Sequence, residues 1–303
     1  AWIVVASSGA AAAGTCLLKN YAPATHSKSL SALALALIAV AAMEFMNPGL
    51  FSAVVNPMEL PWWLIFFMFV FYAPLESYRF RWTTHMLAKY YPALPSRRKN
   101  PDLKGLPSFD WVDSLFLAIN KSVLSTGFSM QIMRIITKPP EGTLVVWRPV
   151  DLGIVNSVLV VPLLLILADL YYWFMHWLLH RRAIYPYIHK HHHRQTLPER
   201  GFDDSLNTHP IETLFGMVTL WSSLYTVTRF ITVHAIGVVL YLFILSWFSV
   251  MNHMNFDVKW NFGLFEYSII AHETHHRHPK SNMAQYCKIW DVLLGTFKPP
   301  DEE

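Results

Sequence analysis

Fifteen histidines occur in the 303-residue chain, and thirteen of them fall between positions 176 and 278. Eight stand in three boxes: His176 and His180 in HWLLH, His189, His192 and His193 in HKHHH, and His272, His275 and His276 in HETHH. Pairs at i, i+4 and triplets at i, i+3, i+4 put imidazoles on one face of a helix and aim them into one volume. A single histidine needs only a hydrogen-bond partner, whereas clustered neutral imidazoles need a shared cause, and a metal is the usual one. His209 in THPIE and His253 in MNHMN lie between the boxes and extend the candidate ligand set to ten. A catalytic zinc takes three protein ligands and keeps one position open, so eight to ten imidazoles imply two metals. Imidazole suits iron, zinc or copper. Two such ions with open positions beside a hydrocarbon phase suit dioxygen activation on a C–H bond.

HETHH also satisfies H-E-x-x-H, in which His272 and His276 hold a zinc and Glu273 activates water for proteolysis. That reading leaves the five histidines of the earlier boxes without a task. His191 and His278 adjoin boxes but point elsewhere at helical spacing, which places them, with Glu273, just outside the metal-binding shell. His234 reads as a packed or polar-contact residue. A haem-binding electron carrier would need histidines inside opposing membrane spans, and these sit at span ends.

The elements that must carry the boxes are apolar. The chain is 53% hydrophobic and only 15% charged, with a formal charge of +4, a composition that points to a polytopic membrane protein. Apolar runs near the ~20 residues needed to cross a bilayer cover 30–47, 60–77 and 153–175. The stretch 213–251 is about twice that length and reads as a hairpin turning near TVTRFITV. Residues 110–137 carry Asp113, Asn120 and Lys121 and form a poorer span, either a polar-faced crossing or a re-entrant helix. The N-terminal AWIVVASSGAAAAGTCLL lacks a basic n-region and reads equally as a helix or a trimmed targeting segment.

Basic groups follow two of the runs: RFRWTTHMLAKYYPALPSRRK after the second, and Arg181, Arg182, Lys190, Arg194 and Arg200 after the third. Both loops are expected on the cytosolic side, so 110–137 and 153–175 should cross as a pair. With the hairpin returning the chain, all five histidine groups then reach the same membrane face. The proline-rich segment 92–110 is a surface loop. Cys16 and Cys287 fit no thiolate metal pattern, and no aromatic-interleaved basic stripe suggests nucleic acid. The bundle has no internal repeat and reads as one integral unit, with N-terminal membrane helices and a basic loop over 1–152 and the histidine-rich region over 153–303. The aromatic LPWWLIFFMFVFYAP fits either an interfacial belt or a lipid groove.

In the order and separation of its boxes the chain resembles the fatty acid hydroxylase and sterol desaturase superfamily of membrane di-iron oxygenases. HWLLH, HKHHH and HETHH match its H-x-x-x-H, H-x-x-H-H and second H-x-x-H-H. THPIE and the ending Trp290, Asp291, Gly295 and Thr296, matching W-D-x-x-x-G-T, also look like the family. The resemblance covers about 153–298. It implies an all-α polytopic membrane bundle topped by a cytosolic helical cap with a histidine-rich dimetal site. Implied with it are two non-haem irons, dioxygen as co-substrate, and hydroxylation or desaturation of a sterol or fatty acyl chain. Zinc is the substitute metal. No haem or flavin fingerprint occurs, so electrons would come from a separate b-type cytochrome or its reductase. The endoplasmic reticulum is the family's usual membrane, with other organellar membranes as the alternative. NHMNFD departs from the family's usual text around the returning histidine, and the extra His191 opens a second register for the middle box. A non-catalytic, lipid-binding subunit of a larger membrane complex that keeps the same fold is the competing reading.

Overall fold

A computed structural model describes residues 23–49, 58–94, 108–262 and 265–299. Cys16, the N-terminal apolar stretch and most of the proline-rich loop fall outside the described residues. The chain is mostly helical. Helix α1 spans Pro23–Met46 and α2 spans Trp62–Leu87. Next come α3, Trp111–Ala118, a π-helical segment, Ile119–Leu124, and α4, Ser125–Thr137. A second π-segment, Val155–Leu159, leads into α5, Val160–Leu179. The middle histidine box forms a 3₁₀ segment, His189–Arg194. The chain continues through α6, Phe202–Leu206, α7, Pro210–Thr228, α8, Ala235–Met251, α9, Ile269–Arg277, and α10, Ile289–Leu293.

Two departures from an all-α chain are present. Val145–Val146 pairs in parallel with Val233–His234, and Lys259–Phe262 pairs antiparallel with Phe265–Ser268. In the second pair Trp260 and Tyr267 are register partners that both pack on the Phe248 ring of α8, while Lys259 and Asn261, on either side of Trp260, are exposed. This pair delivers the chain directly into α9.

Helix α5 lies against α7 and α8 and supplies much of the core through Leu164, Leu165 and Ala168, with Val238, Tyr241 and Leu245 from α8. At Gly237 the first turn of α8 meets the π-segment before α5. A Cβ there would lie 2.9 Å from the Asn156 carbonyl oxygen and 3.1 Å from that of Ser157, so glycine is what allows this approach. Two helical stretches, His26–Met46 and Val155–Leu179, are long and apolar enough to cross a bilayer. The 213–251 run is indeed two helices with a turn between Thr228 and Val233, each about 26–28 Å long at ~1.5 Å per residue.

Helix α2 continues past the apolar run to Leu87, so Arg79 and Arg81 are helical rather than part of a basic loop. Asp113, Asn120 and Lys121 all have partners. Asp113 closes a capping box with Asp110. Asn120 Nδ2 donates to the carbonyls of Leu206 and Thr208 at 2.8 and 2.9 Å, and Lys121 pairs with Asp203. The π-turn thus sits where this helix is tied to the 200–208 segment, a place where π-bulges recur near functional sites.

Candidate metal centre

Nine buried or nearly buried imidazoles converge from four stretches of chain. His176, His180, His189, His193 and His275 form one group, and His192, His253, His272 and His276 form another, with the ligand atoms of each group within 4.8 Å of one another. The elements divide the boxes between the two groups. On α5, His176 and His180 are one turn apart and both enter the five-histidine group. In the 3₁₀ segment, His189 and His193 join that group while His192 turns to the other. On α9, His272 and His276 enter the four-histidine group, while His275 faces the five. His253, just past the end of α8, completes the four-histidine group despite its divergent flanking text.

The ring nitrogens show what these groups are built to hold. Nδ1–H of His176 donates to the Met283 carbonyl at 2.8 Å, that of His275 to Ser281 at 2.7 Å, and that of His253 to Ser249 at 2.8 Å. A carbonyl only accepts, so each of these rings carries its proton on Nδ1 and presents a bare Nε2 lone pair inward. His189 Nδ1 lies 2.9 Å from Glu212 Oε1. Nε2 of His176 lies 3.0 Å from that of His189, and Nε2 of His253 3.2 Å from that of His272, so the bare nitrogens point at other imidazole nitrogens. Converging lone pairs repel unless a cation sits among them, and the donor set fits a metal that accepts imidazole nitrogen.

Burial, reinforced by neighbouring imidazoles, holds His189, His192, His193, His272, His275 and His276 well below the ordinary histidine range. His180 is pushed down to about 2 by burial and by His176. His253 is lowered by burial as well. Ligands that stay neutral near pH 7 need lose no proton to bind a metal.

A loop of short carbonyl contacts fixes this arrangement. Residues 281–287 carry the carbonyls that orient His275 and His176, and two buried carboxylates fasten that loop. Asp169, in the middle of α5, accepts the backbone N–H of Gln285, Tyr286 and Cys287 at 2.8–3.0 Å, and the Cys287 thiol at 3.0 Å. Asp291 accepts Met283 N–H at 2.7 Å and the Thr296 hydroxyl at 2.6 Å, while Trp173 Nε1 donates to Thr296 at 2.9 Å. Trp290 Nε1 donates to the Ile166 carbonyl, and Gly295 takes φ +73° just past the end of α10, where a side chain would be strained. The W-D-x-x-x-G-T ending is thus a clasp that holds the loop against α5.

His209 belongs to neither group. Its Nδ1 accepts the Ile211 N–H as the N-cap of α7, and its Nε2 lies 2.9 Å from the Ser29 carbonyl of α1, so both nitrogens are used elsewhere. Its expected place in the ligand set is corrected on that ground. His191, the extra residue of the middle box, also points away, with Nε2 2.9 Å from Asn207 Oδ1 and 3.2 Å from Asp113 Oδ1. His278 is in neither group, and its backbone N–H donates to the Thr274 carbonyl at the end of α9. His234 caps α8 through the Ile236 N–H, as a polar-contact residue does. Glu273 is buried on the side of α9 that faces Arg277, whose Nη2 lies 3.6 Å away, and its carboxylate joins neither group. Neither group includes a carboxylate or a thiolate among the described residues.

The spacing of the histidines does not single out Asp169, Glu212 or Asn207. An aspartate inside the apolar run 153–175 was the available signal, because an ionisable residue at membrane depth is costly unless it has a task. Glu212 is the last residue of the THPIE text, and a carboxylate behind a ligating imidazole is a recurring way to set its tautomer and orientation. Glu212→Gln is expected to weaken metal binding about ten- to a hundredfold. Chelator competition on the purified protein measures this, and unchanged affinity would mean that the 2.9 Å contact orients nothing.

A cavity of about 430 Å³ reaches the four-histidine group through His192 and His253. It runs between α2, α4, α7 and α8, and most of its wall is apolar, including Phe128, Ile132, Met217 and Leu220. Val239 and Phe243, which also line it, are 56% and 44% exposed, so it opens on the apolar flank of α8.

Comparison with known proteins agrees with this arrangement. A family model described as fatty acid hydroxylase matches residues 161–296, a range that includes all nine clustered histidines, Asp169, Glu212 and Asp291. Methylsterol monooxygenase erg25A of Aspergillus fumigatus is 27% identical over 140 residues, 45% of this chain and 46% of that protein. The cholesterol 25-hydroxylase-like protein of Danio rerio is 29% identical over 174 residues, 50% of this chain and 62% of that protein. Very-long-chain aldehyde decarbonylase GL1-4 of Oryza sativa subsp. indica is 26% identical over 144 residues, 44% and 22% of the two chains. The matched region therefore spans less than two thirds of each of these relatives. No solved structure matches the chain. Over residues 161–296, the three histidine boxes, the clasp that orients them and the matched domain together place this region in the fatty acid hydroxylase and sterol desaturase superfamily.

Proposed function

We propose that this protein is a membrane di-iron oxygenase that hydroxylates or desaturates an unactivated C–H bond of a sterol or fatty acyl lipid. The observation that carries the reading is the meeting of two groups of neutral, inward-facing imidazoles with an apolar cavity. Two irons held there would supply dioxygen activation and oxidation of a C–H bond. His176, His180, His189, His193 and His275 would hold one ion and His192, His253, His272 and His276 the other. Zinc is the substitute such a donor set also accepts. The chain's own part is to bind the lipid in the cavity, keep water from the reacting carbon with apolar walls, and hold the imidazoles in one tautomer through the 281–287 carbonyls.

The apolar stretches His26–Met46, Val155–Leu179 and the α7–α8 hairpin support a polytopic bundle, with the histidines in a cap on the cytosolic side of the endoplasmic reticulum or another organellar membrane. Residues 1–152 and 153–303 would act as one unit, since Leu94 N–H bonds to the Asn255 carbonyl and Asn120 to Thr208. Electrons would arrive from a separate b-type cytochrome or reductase, and other subunits of a membrane complex are compatible with the exposed apolar perimeter.

The protease reading requires Glu273 to face the metal, and its position beside Arg277 speaks against that. Expression in a heterologous host followed by lipid extraction tests the choice. The oxygenase yields lipids heavier by one oxygen or lighter by two hydrogens, and Glu273→Gln retains most of that product. A host lipid profile that does not change would favour the non-catalytic subunit, and proteolysis abolished by Glu273→Gln would favour the protease.

A further inference from the structure

Inside the cavity, about two helical turns from the four-histidine group, lies a charged pair that the metal centre does not use. Ser246 and Val250 of α8 and His253 just past its end follow one another at i, i+4 and i+7, and all three line the cavity. Seven residues at ~1.5 Å each put Ser246 about 10 Å below His253 along the helix. Arg79 of α2 meets Ser246 there: its Nη2 donates to Glu76 Oε2 at 2.6 Å and lies 3.4 Å from Ser246 Oγ. The guanidinium is sandwiched between the Phe80 and Phe243 rings, 4.2 and 5.0 Å from their centroids. Its Nε–H is buried and has no partner.

A buried donor without a partner costs roughly 1–3 kcal/mol, and a charged group among apolar helices is costlier still. Such a group persists where something completes its hydrogen bonds. Glu76 already offsets the positive charge, so a carboxylate arriving here would meet a carboxylate. What the pair leaves open are the Arg79 N–H groups other than those of Nη2, on Nη1 and Nε, beside the spare lone pairs of Glu76. A neutral hydroxyl, which accepts from one and donates to the other, fits both.

We infer that Arg79, Glu76 and Ser246 recognise the hydroxyl group of a neutral lipid alcohol and thereby fix which carbon, about 10 Å away, lies against the four-histidine group. This rests on the proposed function only in taking the cavity as the substrate's. Arg79 is a binding and specificity residue, with no part in holding metal.

Equilibrium dialysis of the detergent-purified full chain under anaerobic conditions tests the inference with matched radiolabelled probes: cholesterol against cholestane, and octadecan-1-ol against octadecane and stearate. An alcohol should bind about ten- to a hundredfold more tightly than its hydrocarbon, the range for a hydrogen bond to a charged group. Whichever alcohol shows the preference identifies the sterol or linear skeleton. Arg79→Met should reduce the preference to about twofold or less while hydrocarbon binding is unchanged. Glu76→Gln, which removes the negative charge and keeps the shape, should raise stearate affinity about tenfold or more, and it decides the matter if Arg79→Met does not fold. Equal binding of alcohol and hydrocarbon, tighter binding of stearate by the unmodified chain, or a preference that survives both substitutions would overturn the inference. Iron content measured on the same samples separates the two readings. Selective alcohol binding by a chain that holds no iron would defeat the oxygenase and leave the recognition standing.

Discussion

His272→Ala/His276→Ala is expected to bind one iron per chain instead of two and to lose product formation to background. Both residues lie on one face of α9 and both enter the four-histidine group, so the double substitution leaves that group only His192 and His253. Two imidazoles fall short of the three protein ligands that a catalytic metal site ordinarily keeps. His275, on the same helix, serves the other group, which retains all five of its donors. The loss is therefore confined to one ion, although the substituted residues belong to a box that spans both. His209→Asn is the control: asparagine still caps α7, and because His209 bonds to Ser29 and Ile211, iron content should stay at two. Elemental analysis of folded, monodisperse protein gives both numbers. Loss of both ions from the double variant would show that the groups are not separable, and loss of iron from His209→Asn would restore that residue to the ligand set.

Asp169→Ala is expected to be the most destabilising single change in the described chain. The carboxylate accepts three backbone N–H groups and a thiol in a fully buried position. Removing it leaves those donors facing an apolar void, at roughly 1–3 kcal/mol for each unsatisfied group. Even at the low end, about 4 kcal/mol for the four donors is a large part of the ~5–15 kcal/mol by which a domain is stable, and corresponds to a fall in Tm of about 10 °C. The effect should also reach the metal, because the loop that Asp169 fastens carries the Met283 and Ser281 carbonyls behind His176 and His275. Thermal unfolding in detergent, followed together with iron release, is the measurement. A variant that melts within about 1 °C of the unmodified protein and keeps its iron would show that the loop is held by other contacts.

Much of the site could be read from spacing alone. The i, i+4 pairs His176/His180, His189/His193 and His272/His276 each deliver both members to a single group, and the lone His253 arrives because the 213–251 run folds back as a hairpin. Spacing does not give the division of each triplet between the two groups. That depends on the 3₁₀ geometry of 189–194 and on the direction from which α9 approaches, both set by packing distant in sequence. His209 misled for the same reason, since a histidine before a helix-starting proline can serve as an N-cap as well as a ligand. The small strand pairs were not legible because two to four residues give too little alternation to register against an apolar background. The extension of α2 to Leu87 ran against the hydropathy pattern because Glu76 and Arg79 face the cavity, so polarity there marks a lining and not the end of a helix.

The central claim is that nine imidazoles of one chain enclose two metal ions, and the iron-to-protein ratio of chain purified from iron-supplemented cells tests it most directly. Two irons per chain is the result this arrangement requires. A single zinc per chain, or a folded chain that takes up no metal while the histidines remain buried together, would contradict it.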